Sequence, residues 1–228
     1  MARRKLVRFD YNSNAENVIE RGKEFYTSIK GKWREKYFKN ENPIVLELAC
    51  GRGEYSVGLA SVFPEKNFIG IDIKGDRIAR GSKNSEELGL KNVAFLRTSI
   101  QFLEEFFEEN EIDEIWIIHP DPQPRDKEEK KRLTHKNFLE LYKKLLKVGG
   151  NVHLKTDNYP LFEYSLESLQ LADYQVLSQT SDLYNSDLIA NHFTKNKEYI
   201  ETYYERMFRE KGFKINYLMA RLNGNTSP

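Results

Sequence analysis

The chain has 228 residues and a net charge of +1, from 36 Lys and Arg against 35 Asp and Glu. That length allows one sizeable domain or two at most, and the near-neutral balance excludes a polycation that holds nucleic acid by bulk charge. No apolar run approaches the ~18–20 residues of a membrane span, no signal-peptide core opens the chain, and a lone cysteine excludes an internal disulfide or a paired-cysteine metal clamp. A soluble, cytoplasmic protein is expected, with Cys50 as a small buried hydrophobe. His119, His135, His153 and His192 are scattered without i, i+4 pairing, so no metal site is expected.

Residues 1–42 read as a basic segment followed by a helix. "ARRKLVR" gathers Arg3, Arg4, Lys5 and Arg8, and helical character over 15–39 ends at the turn "NENP" with Pro43. From 43 to 228 the chain alternates. Apolar runs at "IVLELAC" (44–50), "NFIGIDI" (67–73), "VAFLRTS" (93–99), "DEIWIIHP" (113–120) and "NVHLKTD" (151–157) suit strands buried on both faces. Between them lie helical "EYSVGLASVF" and "DRIARGSKNSEELG", an acidic helix through Glu109, and amphipathic "HKNFLELYKKLLKVGG", closed by two glycines. The tail adds helical "YPLFEYSLESLQLA", strand "YQVLSQT", a polar connection, helical "KEYIETYYERMFREKG" and apolar "INYLMARL". This alternation predicts an α/β fold. It is a doubly wound, mostly parallel, seven-stranded sheet with helices on both faces, in a single domain. Such sheets bind ligands at the carboxyl ends of their strands. There the chain places Gly51 and Gly53, Asp72, Asp121, and Lys155 with Asp157.

"LELACGRGEYSVG" joins the first strand to its helix, and Gly51 and Gly53 let a ligand approach the main chain. Glu47 lies near the strand end. Asp72 closes the next strand 25 residues later, where one carboxylate can accept from both hydroxyls of a ribose. Dinucleotides and adenosyl cofactors both carry that ribose. The dinucleotide fingerprint needs a third glycine where this chain has Ser56. Glu47 is unfavourable beside phosphates and favourable beside an ammonium. S-adenosylmethionine carries an ammonium, a sulfonium and no phosphate, and it fits the loop better.

"IWIIHPDPQPR" runs from an apolar strand into prolines at alternate positions around Asp121. Proline cannot continue a sheet, so the strand ends near His119 and a stiff loop holds the aspartate. "KKRLTHK" then collects Lys130, Lys131, Arg132 and Lys136. Simpler roles stand beside the functional ones. Asp121 can form a turn, Asp157 can cap the next helix, Thr202 and Glu205 can pair along a helix, and Arg125 can be a solvated charge.

Taken in order, the glycine loop, "IHPDPQPR" with "KKRL", "FLELYKKLLKVGGNVHLKTDN" and "TYYERMFREKG" resemble the bacterial tRNA (guanine-N7)-methyltransferase family of class I S-adenosylmethionine-dependent enzymes, over residues 44 to 220. The resemblance implies methyl transfer from S-adenosylmethionine to N7 of a guanosine in tRNA, giving 7-methylguanosine, by a monomer or homodimer without a metal. By matching positions it implies that Glu47, Gly51, Gly53, Asp72, Ser99 and Asp121 hold the cofactor. Asp121 is also the catalytic position, and Arg125, Asp157, Thr202 and Glu205 bind the substrate. The chain departs from the family at several points. Ser99 stands for an aspartate, Gln123 for a tryptophan, His119 for a phenylalanine and Glu128 often for a histidine, while Asp126 and Glu129 add acid. Weaker phosphate binding is expected there. The alternatives are a methyltransferase of the same fold acting on another RNA or a small molecule, and a tRNA-binding protein with little turnover.

Overall fold

The chain divides into two units, Met1–Glu111 and Ile112–Pro228. The structure is a computed structural model that describes residues 2–189, 194–195 and 198–224. In the first unit, helix α1 (Ala2–Asn14) precedes a short strand β1 (Val18–Ile19), helix α2 (Phe25–Ser28) and a π-helix over Trp33–Phe38. Then β2 (Ile44–Leu48), α3 (Glu54–Val62), β3 (Asn67–Asp72), α4 (Gly75–Glu87) and β4 (Val93–Arg97) alternate. The strands run parallel in the order β1-β4-β3-β2. Every residue of β2 and β3 is buried, which is why their sequences show continuous apolar runs rather than alternation.

The helical character expected over 15–39 is met only in α2 and the π-helix, and its first residues form a strand. Val18 and Ile19 are buried and pair with Phe95 and Leu96, because β-branched side chains beside an open strand edge gain more as strand than as helix. Further along, Trp33 stacks on Phe107 with ring centroids 5.3 Å apart and donates from Nε1 to the Phe106 carbonyl at 2.8 Å. The acidic helix expected through Glu109 is instead a 3₁₀-helix over Ile100–Glu105. Leu103, Phe106 and Phe107 are all buried, and a three-residue turn brings Leu103 and Phe106 onto one line facing the core. The N-terminal helix docks on α4. Tyr11 Oη donates to Glu86 (2.6 Å) and Asn12 Nδ2 to the Gly75 carbonyl (2.7 Å). The side chains of Arg3, Arg4 and Lys5 lie outside the described residues, and Arg8 is half-buried.

The second unit carries β5 (Ile112–Ile118), a 3₁₀-helix over Asp126–Lys131, α5 (Lys136–Leu145), β6 (Leu146–Thr156), α6 (Tyr159–Leu171) and β7 (Tyr174–Thr180). A 3₁₀ turn (Leu183–Asn185), paired short strands β8 (Thr194–Lys195) and β9 (Glu198–Tyr199), α7 (Tyr203–Glu210) and β10 (Asn216–Leu222) follow. The order is β5-β6-β10-β7, with β5 parallel to β6 and β10 antiparallel to both neighbours. All the runs expected as strands are strands. The glycines of "KVGG" do not close α5, which ends at Leu145 and passes directly into β6. They serve a bend inside the strand: Gly149 has φ 80°, and a Cβ on Gly150 would lie 2.9 Å from the Lys147 carbonyl oxygen. Helix α7 is shorter than the periodicity suggests, because Thr202 caps it and Glu198–Tyr199 pair as β9.

Candidate active site

Strand β2 delivers Glu47 and the glycine loop to one edge of the first unit. Cys50 N–H donates to the Ile71 carbonyl (2.9 Å) and Gly53 N–H to the Cys50 carbonyl (2.8 Å), closing the turn. Gly53 has φ 64°, and a Cβ there would lie 2.3 Å from Phe95 Cε1, so tight packing as well as backbone geometry demands glycine. A Cβ on Gly51 would meet only the Ala49 carbonyl oxygen, at 4.0 Å, so the loop is open to a ligand at that point. At the end of β3, Asp72 Oδ2 accepts the Gly51 N–H (2.9 Å) and Oδ1 the Lys74 N–H (2.8 Å). Each oxygen keeps a lone pair that a ribose hydroxyl can use.

Glu47 Oε2 accepts both the Ser56 N–H (2.7 Å) and the Ser56 hydroxyl. Ser56 is the third residue of α3, so a strand carboxylate satisfies a free donor at the helix start. Burial pushes the Glu47 carboxyl up to about 8, against the pull of the Ser56 bonds. A cation beside it would favour the ionised form and a phosphate would oppose it. An open glycine, a ribose-type carboxylate and a buried acid that welcomes a cation together fit an adenosyl amino-acid cofactor. Ser99 starts the 3₁₀-helix at Ile100 with no side-chain cap bond and is half-buried.

The second unit holds a separate polar cluster. Lys155 Nζ lies 2.5 Å from Glu205 Oε1, and both side chains are 0 % exposed. Tyr184 Oη donates to the same Glu205 oxygen at 2.6 Å. His119 stands between two carboxylates, with Nδ1 3.2 Å from Asp157 Oδ1 and Nε2 3.3 Å from Glu205 Oε2. Burial alone would raise Glu205, but the Lys155 charge and the His119 contact outweigh it and hold the carboxyl down to about 2. Around this core Glu201 accepts from Arg206 Nε (2.8 Å) and Arg209 Nε (3.2 Å), and the Arg209 guanidinium covers the Tyr184 ring at 4.8 Å.

The expected substrate residues fall into two groups. Asp157, Thr202 and Glu205 come together in the cluster. Asp157 does not cap α6; Asn158 does, accepting the Leu161 N–H at 2.9 Å. Thr202 is the cap of α7, its Oγ1 accepting the Glu205 N–H at 3.1 Å, and Glu205 faces Lys155 rather than solvent. Asp121 and Arg125 lie outside the cluster on the exposed proline loop. Asp121 Oδ1 accepts the Gln123 N–H at 3.3 Å, a turn-forming contact. Arg125 is gripped by Glu128 through two bonds of 2.6 Å, with Lys131 3.5 Å from the same carboxylate. Expectations from sequence place Lys155 at the binding edge without a role and omit Tyr184, Glu201 and Arg209 from the site. Lys155 carries a signal, a cation inside the buried run "HLKTD"; the others come from the tail, where no local pattern marks them.

Among the described residues no group of three or more His, Cys, Asp or Glu is placed to hold a metal, and no helix is long and apolar enough to cross a membrane. A family described as putative methyltransferase matches residues 41–217. The chain is 50 % identical over 220 residues to a tRNA (guanine-N(7)-)-methyltransferase of Cytophaga hutchinsonii, covering 96 % of this chain and 97 % of that one. It is 45 % identical to the protein of the same description from Christiangramia forsetii, over 97 % of this chain and 99 % of that one. Among solved structures, an antibiotic-related methyltransferase superposes with a TM-score of 0.62 at 15 % identity, over 92 % of this chain and 98 % of that one; this likeness carries the fold alone.

Proposed function

The chain belongs to the tRNA (guanine-N(7)-)-methyltransferase family, and on that premise we propose which of its residues carry the transfer of a methyl group from S-adenosylmethionine to N7 of a guanosine in tRNA. The observation that supports the activity best is identity of this level across nearly the whole chain. The open Gly51 and the doubly bonded Asp72 support the cofactor.

When bound, the cofactor supplies a methyl group that the lone pair of guanine N7 takes directly, so no base has to remove a proton. The protein's tasks are alignment and charge. Asp72 accepts the ribose hydroxyls and Glu47, ionised on binding, faces the cationic amino acid, while Gly51 and Gly53 admit the ligand to the main chain. Ser99 borders the adenine. Asp121 meets the reacting centre from the proline loop, and Asp157 accepts from the guanine N1–H and amine. Thr202 and Glu205 act from the start of α7, and Arg125 reaches a phosphate. A single domain from 43 to 228 built on a seven-stranded, doubly wound sheet, with the basic segment and helix of 1–42 ahead of it, belongs to this reading. So does work in the cytoplasm as a monomer or homodimer.

Incubation with unmodified tRNA and S-adenosylmethionine, followed by digestion and mass spectrometry of the nucleosides, tests the reading. 7-Methylguanosine is expected. Cofactor binding without that product would overturn the substrate. Asp121→Ala is expected to lower turnover by about 100-fold or more at a near-unchanged melting temperature; wild-type turnover would remove Asp121 from the site.

A further inference from the structure

We propose that His119, as an imidazolium, is a positioning residue for the guanine: it orients Asp157 and ties the proline loop to the ends of β6 and α7. The proposal rests on the functional reading above and adds a residue to it. The backbone of His119 is fixed first, its N–H donating to the Lys155 carbonyl at 2.8 Å. Its φ of 45° is a left-handed conformation that residues other than glycine adopt seldom. The side chain is 11 % exposed, with a carboxylate oxygen at each ring nitrogen.

A neutral imidazole has one N–H and one lone pair, so in either tautomer a carboxylate would face a lone pair; only the imidazolium turns an N–H and positive charge toward both, bonding Asp157 and meeting Glu205 by charge. The charges then close. Lys155 and His119 are positive, Asp157 and Glu205 are negative, and Tyr184 donates to Glu205 from the fourth side. These are the titratable groups facing the ring: Lys155 from β6 and Asp157 just past its end, and Glu205 from α7 backed by Tyr184. Burial alone would lower the His119 pKa, and the bonds to Asp157 and Glu205 reverse it, leaving it above the ordinary value. The contact with Asp157 is an aligned hydrogen bond, whereas that with Glu205 is a charge contact. Asp157 keeps 29 % of its side chain exposed, so the carboxylate that His119 orients is still reachable by a base.

The sign follows. Orientation is complete when His119 is charged and fades as pH rises through its raised pKa, so the tRNA KM should rise on that limb while the cofactor KM stays level. The test pairs nitrogen-15 NMR titration of the His119 imidazole, in wild type and in Asp157→Asn, with KM for tRNA against pH in wild type and His119→Asn. Asparagine accepts the left-handed backbone and carries no titrating charge. The imidazole is expected to titrate above 6.5 in wild type and lower in Asp157→Asn. His119→Asn should show a tRNA KM raised about tenfold below the titration and flat across it. An imidazole titrating below its ordinary value in wild type would overturn the proposal even if the variant fails to fold. So would His119→Asn with the wild-type pH limb. Wild-type protein that forms no 7-methylguanosine would overturn the functional reading itself, and the guanine-positioning role with it; that result differs from active wild type matched by His119→Asn.

Discussion

Glu128 holds the guanidinium of Arg125 in a two-bond fork, and that contact sets how freely the arginine can meet a phosphate. Arg125 is 65 % exposed although the Glu128 side chain is only 12 % exposed, so solvent screens the pair from the arginine side and its worth to folding is small. Its worth to binding is larger, because a phosphate has to compete with a carboxylate already in place. Glu128→Gln should therefore tighten tRNA binding several-fold and steepen its dependence on salt by about one counterion. A salt series of binding isotherms checks this, and an unchanged slope would mean that Arg125 does not contact phosphate. Gly53 and Ser56 are a contrasting pair. The first is glycine because Phe95 leaves no room for a Cβ, and the second is serine because its N–H and hydroxyl both serve Glu47. The sequence marks both positions, and only packing shows why each residue type is required.

At the scale of elements, the contact that matters most joins β6 to α7. Lys155 and Glu205 are fully buried and 2.5 Å apart, and the helix is capped by Thr202, three residues before the glutamate. In a capping box the glutamate three residues after the cap would turn back to the threonine backbone. Here Thr202 does its half, and Glu205 points to the strand instead. Removing the charge from one partner strands the other in a dry interior. Glu205→Gln should cost about 3–5 kcal/mol in denaturant unfolding and loosen α7, whereas Glu205→Gln together with Lys155→Met should recover part of the loss. Full stability in the single variant would show that water reaches the pair. Elsewhere, buried contacts decided elements that local pattern misjudges. Val18 and Ile19 joined a strand edge, and Phe106 and Phe107 drew an acidic stretch into a 3₁₀ turn.

For the whole molecule, two buried acids shifted in opposite directions bound the pH range of stability. Glu205, held down to about 2, stabilises fully above the ordinary carboxylate value and loses that contribution as pH falls through about 2. Glu47, raised to about 8, does the reverse: the folded protein favours its protonated form, so stability declines as pH rises from the ordinary value through about 8. Melting temperatures across roughly pH 3–9 should fall at both ends. S-adenosylmethionine should flatten the alkaline fall, since an ammonium beside Glu47 favours its ionised form. An alkaline fall unaltered by saturating cofactor would place the cationic group elsewhere.

The sequence by itself determined the alternation of buried strands and helices, the glycine loop with Asp72, and the family. These depend on near-neighbour chemistry: runs of apolar residues, turn residues and short motifs, all read along the chain. Only the tertiary structure decided what the side chains of the second unit do for one another. Lys155, Tyr184 and Glu205 lie far apart in sequence; motif and strand order mark the first and last as site candidates, but only burial, which removes water and forces charges to pair, shows that they and Tyr184 serve one another. His119 reads as a departure from a familiar loop. Between Asp157 and Glu205 it becomes the cation that joins a half-buried carboxylate to a fully buried one, a role that no local pattern marks.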